Sequence, residues 1–113
     1  MNKLLCVYVT DPKVYYDDRL VAVGESVTIQ CHVLSLESVL WQFKRGLAPN
    51  VHDVYDIDKR VVSSYENRAT VNESTYDLTI YHIDVRDSGE YWCIEDGGFG
   101  TKHVTQLYVT GIS

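Results

Sequence analysis

The sequence predicts an all-β domain, a sandwich of two antiparallel sheets with about nine short strands. Apolar residues recur at every second position in one short run after another. That alternation puts one face of a strand in a core and the other in water. Turn-forming clusters separate the runs, and no segment keeps a 3.6-residue period over ten or more positions, which disfavours helices and crossover units. Nine tyrosines against two prolines fit the same reading, because aromatic and β-branched residues favour strands.

The elements follow in order. Leu4 to Val9 is an apolar stretch of six residues. It is shorter than the core of a secretion signal and lacks a small-residue cleavage site after it, so it reads as a strand. Met1 then reads as the start of an expressed fragment, and residues 1–113 as one module of a longer secreted or membrane-anchored protein. Val27, Ile29, Cys31 and Val33 alternate with Ser26, Thr28, Gln30 and His32. Val39, Trp41 and Phe43 form the next run, then Tyr76, Leu78 and Ile80, then Gly89, Tyr91 and Cys93, and finally Leu107 and Val109. Val23-Gly24-Glu25, Gly46 to Asn50, Asn72-Glu73-Ser74, Asp87-Ser88-Gly89 and Gly97-Gly98 punctuate them. A chain of 113 residues is a single domain by length.

Charge and motifs narrow the function. The net charge is −6, and the ten basic residues are scattered. That excludes nucleic acid and anionic membrane as expected partners. No apolar run reaches the ~20 residues a bilayer requires. The four histidines lie far apart, Asp53, Asp56 and Asp58 lack the calcium-loop pattern, and Gly97-Gly98-Phe99-Gly100 is followed by no Gly-Lys-Ser/Thr. No metal, cofactor or enzymatic activity is expected, which leaves binding.

Three motifs carry a family resemblance. Gly24, Ser26, Val27, Ile29 and Cys31 fit Gly-x-Ser/Thr-Val-x-Ile-x-Cys. Trp41 follows ten residues later. Leu78, Ile80, Ile83, Asp87, Gly89, Tyr91 and Cys93 fit the pattern that ends Asp-x-Gly-x-Tyr-x-Cys. Together they resemble the V-set of the immunoglobulin superfamily over nearly the whole chain. The resemblance implies a Cys31–Cys93 disulfide between the sheets and an oxidising, extracellular compartment. It implies Trp41 and Leu78 in the core, a Tyr91 hydroxyl bonded back to the backbone at a tyrosine corner, and an Arg68–Asp87 salt bridge. The 61 residues between the cysteines leave room for the C′ and C″ strands of the variable type. Thr105-x-Leu107-x-Val109 is similar to the end of an antigen-receptor joining segment. The preceding Phe-Gly-x-Gly register holds Thr101-Lys102-His103-Val104 instead, which points to a non-rearranging immune receptor.

Parity then nominates a site. On the C–C′–F–G sheet, the positions opposite the core are Leu40, Gln42 and Lys44 on strand C, Trp92 and Ile94 on F, and Val104, Gln106 and Tyr108 on G. Val54 or Tyr55 joins them from C′. They are expected to form an exposed apolar patch that pairs with a protein ligand or a second copy of the chain. In the F–G loop, Glu95 and Asp96 favour a basic partner surface, and Phe99 is open to two readings, a binding contact or a ring tucked back onto the sandwich. Asn72-Glu73-Ser74 is a glycosylation sequon away from that face. Cys6 is the odd cysteine, open to an intermolecular disulfide, a partner elsewhere or a free thiol. The alternative function is an innate module binding microbial surface carbohydrate or lipid. Membrane attachment is expected only through parts outside this chain.

Overall fold

The alternating runs become strands in two layers. The computed structural model describes residues 14–32, 38–46, 51–56 and 58–111, which hold eight strands. They are β1 (Val14–Ala22), β2 (Val27–Ile29), β3 (Leu40–Lys44), β4 (Val51–Tyr55), β5 (Ala69–Val71), β6 (Leu78–Ile80), β7 (Gly89–Ile94) and β8 (Lys102–Thr110). One sheet has the order β1-β8-β7-β3-β4 and the other β2-β6-β5. Every pairing is antiparallel except β1 with β8, which is parallel. The expected C″ strand shrinks to one bridge, Tyr55 to Val61, after a tight turn in which the Asp56 amide donates to the Arg60 carbonyl at 2.9 Å. The Leu4–Val9 strand and Cys6 lie outside the described residues.

Alternation does not mark β1, because Asp17, Asp18 and Arg19 occupy its middle and all three are exposed. Charges of this kind suit the edge of a sheet, where they discourage pairing with another chain. Nine residue pairs in unbroken register with β8 hold it in place. Arg19 also donates through Nη1 to the Thr28 carbonyl of β2 at 2.8 Å, tying the two sheets at their open side.

The core lies where inward parity predicts. Trp41, Tyr91, Ile29, Leu78, Ile80, Ile83 and Leu107 are fully buried. Trp41 buries its polar atom without penalty, since Nε1 donates to the Tyr76 carbonyl at 2.7 Å. The Cys31–Cys93 disulfide joins the layers at a Cα separation of 5.6 Å. Closing a loop of this length removes unfolded-state entropy worth ~4 kcal/mol in the chain-entropy model. The outer face of the smaller sheet is polar, with the Thr28 and Thr79 hydroxyls 2.8 Å apart across β2 and β6.

A short 3-10 turn, Val85–Asp87, leads into β7. The Asp84 carboxylate accepts from the Arg86 amide at 3.1 Å, and the Asp87 carboxylate accepts from the Asp84 amide at 2.8 Å, a reciprocal cap. Arg68, just ahead of β5, grips Asp87 with two further bonds of 2.6 and 3.3 Å. That bond keeps the Arg68 guanidinium protonated above its ordinary range. Tyr91 donates its hydroxyl to the Asp87 carbonyl, and burial raises its pKa far above that of a free phenol.

Candidate functional site

Cross-strand pairing sorts the outer face of the five-stranded sheet into rows. Neighbours along a row stand about 5 Å apart. One row runs Tyr16, Val104, Trp92, Gln42, Asp53, and the next Asp18, Gln106, Glu90, Lys44. Toward the β7–β8 connection a third runs Val14, Lys102, Ile94, Leu40, and at the opposite end Leu20 faces Tyr108.

The expectation of one continuous exposed patch needs correction. Leu40, Ile94 and Val104 have outward parity, yet all three are buried. Leu40 and Ile94 are paired at the end of the sheet where the β7–β8 connection, a 3-10 turn over Asp96–Gly98, folds back. The fit is close enough that a Cβ on Gly98 would stand 3.4 Å from Leu40 Cδ2. Val104 sits between two larger side chains, Tyr16 and Trp92. Of the alternatives for C′, Val54 and Tyr55 are both buried.

Trp92 is half-buried and held from two sides. Its Nε1 donates to Glu90 Oε1 at 2.8 Å, and the Lys102 ammonium lies 4.8 Å from its ring centroid. A cation over an indole face is favourable by about 1 kcal/mol at a site this wet. Gln42, its row neighbour, donates to Asp53 at 3.0 Å. Gln106 is half-buried and Tyr108 exposed.

The exposed apolar surface lies toward the β1 side instead. Tyr16 is 77% exposed, Leu20 69% and Tyr108 51%. Leu20 and Tyr108 are direct partners, and Tyr16 and Leu20 lie four residues apart on the same face of β1. Tyr16 and Leu20 were missing from the sequence expectation because β1 was. Its signal was the spacing of Val14, Tyr16 and Leu20, interrupted by Asp18.

At the loop end, Phe99 is 83% exposed and Asp96 is exposed with a left-handed backbone (φ 57°). Glu95 is half-buried, its amide donating to the Thr101 carbonyl at 3.1 Å. Asn72 is exposed in the β5–β6 turn, and its Oδ1 accepts from the amides of Ser74 (2.7 Å) and Thr75 (3.1 Å). Beneath the sheet, His103 is a buried titratable group that parity alone did not single out. Its Nδ1 lies 2.9 Å from the Gln30 carbonyl and 3.4 Å from the His32 amide. One nitrogen cannot donate and accept in one tautomer, and the shorter contact assigns the proton to Nδ1. Burial lowers its pKa.

Among the described residues, no group of three or more His, Cys, Asp or Glu is placed to hold a metal, and no helix is long and apolar enough to cross a membrane. A family model described as the immunoglobulin V-set domain matches residues 16–110. No curated protein matches the chain.

Proposed function

The chain belongs to the immunoglobulin V-set family, and from that premise we propose that it is the ligand-recognition or adhesion domain of a cell-surface immune-type receptor. It binds a protein partner through the outer face of the five-stranded sheet, and a second copy of the chain is the first partner to test. The observation that carries this reading is the exposure of three large side chains on the β1–β8 side of the face, Tyr16 in the row of Trp92 and the Leu20–Tyr108 pair two rows away. Exposed apolar clusters rimmed by polar groups mark interfaces, and Tyr and Trp are the commonest anchors in them. Here Asp18, Gln106, Glu90 and Lys44 supply the polar groups, in the row that runs between Tyr16 and the Leu20–Tyr108 pair. Phe99, Asp96 and Glu95 extend the surface at the loop tip. Asn72 lies in the β5–β6 turn, so a glycan there leaves the face open. The domain is extracellular, one module of a longer ectodomain, and acts by binding alone.

Light scattering after size exclusion, over a concentration series, tests the reading. A dimer that dissociates on dilution and ignores mild reductant supports pairing through the sheet face. A dimer lost on mild reduction assigns pairing to Cys6. If the chain stays monomeric, binds nothing in a panel of cell-surface proteins and is retained only on microbial polysaccharide, the reading is wrong.

A further inference from the structure

A second surface lies at the end of the sandwich opposite the β7–β8 connection. There the end of β3, the start of β4, the 3-10 turn Ser63–Tyr65 and the Val85–Asp87 turn surround a cleft of about 450 Å³. Arg45, Arg68 and Arg86 line it together with His52, Ser64 and Tyr65. Asp87 is the sole acid in the lining among the described residues, and both its carboxylate oxygens are already bonded to Arg68. A chain of net charge −6 thus gathers three of its ten basic side chains around one concavity.

The arginines differ in what they have left to give. Arg68 is spent on Asp87. Arg86 reaches Asp84 only at 3.5 Å, with its side chain largely in solvent. Arg45 donates through Nη2 to the Arg86 carbonyl at 2.7 Å, and its guanidinium lies 5.8 Å from the Phe43 ring centroid. Among the described residues, no carboxylate comes within ion-pair distance of Arg45. The bond to Arg86 and the ring of Phe43 orient a guanidinium whose remaining N–H groups take no partner among the described residues. A guanidinium held in place gives up less entropy when it takes an oxyanion in a fork.

We propose that this cleft binds an anionic saccharide, with a carboxylate or sulfate held by Arg45 and Arg86. The volume is in the range of small-molecule sites and exceeds what a lone oxyanion fills. Ser64 and His52 supply hydrogen-bonding groups for ring hydroxyls, and Phe43 and Tyr65 form the apolar wall. The site is separate from the sheet face proposed above, and neither depends on the other.

The test is a chemical-shift titration of the whole chain at fixed ionic strength. The probes are a sulfated disaccharide, glucuronic acid, glucose and a short poly-glutamate peptide. The expected result is saturable shifts at Arg45, Tyr65 and Arg86 with a charged sugar and none with glucose. Whichever charged sugar saturates first identifies the anion as sulfate or carboxylate. Arg45→Gln and Arg86→Gln each weaken binding about tenfold, the loss of one charge-assisted pair. Both side chains are on the surface, and an unchanged melting temperature verifies that the variants fold. Lys59→Gln removes the same charge from an exposed turn outside the cleft lining and leaves binding intact. Absence of saturable shifts, equal binding of glucose, equal loss in Lys59→Gln, or tighter binding of the peptide than of either charged sugar overturns the proposal.

Discussion

Tyr91 donates its hydroxyl to the backbone carbonyl of Asp87, four residues earlier, at 2.8 Å in a buried site. The bond fixes the angle at which β7 leaves its turn, and so aims every side chain from Glu90 to Ile94. Tyr91→Phe keeps the ring and strands the carbonyl. The expected cost is about 1–2 kcal/mol, read as a lower urea midpoint at unchanged slope.

Gly89 sits between that turn and the strand with φ at +150°. A Cβ there would stand 2.7 Å from the Lys44 carbonyl oxygen and equally close to the Phe43 ring. The carbonyl is part of the β3–β7 ladder and cannot step aside. Gly89→Ala should cost about 2 kcal/mol or more, seen as a fall in melting temperature of roughly 8 °C or more. A melt within a degree of the parent would contradict the close approach.

His103 makes stability depend on pH. Burial disfavours its charged form, Asp17 favours it and His32 opposes it. The unfolded chain takes up this proton as pH falls through about 6.5, while the fold resists to lower pH. Across that window the unfolded state binds more protons, so stability falls as pH drops below about 6.5 and levels off under the folded pKa. His103→Asn retains a donor toward the Gln30 carbonyl without the titration. Its stability profile between pH 7 and 5 should be flatter than the parent's in denaturant titrations.

Tyr16 and Tyr108 separate binding from folding. Both are at least half exposed, and surface changes of this kind usually shift stability by less than ~0.5 kcal/mol. Tyr16→Ser with Tyr108→Ser should therefore weaken partner binding or self-association at least tenfold, about 1.4 kcal/mol, with the melt unchanged. Trp92→Ser is a poorer probe, because it uncovers the buried Val104 and lowers stability too. Full association in the double variant would remove this face as the contact.

The inner half of the structure was legible in the sequence because facing along a strand is set by parity alone. Cys31, Trp41, Leu78, Tyr91 and Cys93 all point inward as their spacing requires. The outer half was not, because exposure also depends on what lies over a strand. No spacing reports that the Asp96–Gly98 turn covers Leu40, or that Tyr16 and Trp92 flank Val104. Parity also fails at β1, where Asp17, Asp18 and Arg19 blur the alternation. The strand is defined by its partner β8, which lies some ninety residues away in the chain.

That parallel pairing has a mechanical side. Val14 opens β1 opposite Lys102, and Thr110 closes β8 opposite Ala22. Tension applied between Val14 and Thr110 therefore pulls the two strands past each other along their length. The hydrogen bonds of the ladder lie across the pull and bear it together, whereas a hairpin pulled from its open end gives way one bond at a time. Resistance to force is governed by the unfolding rate, and this strand arrangement slows that rate under load. A domain of this build, held at one end and pulled at the other, would keep its five-stranded sheet intact under strain.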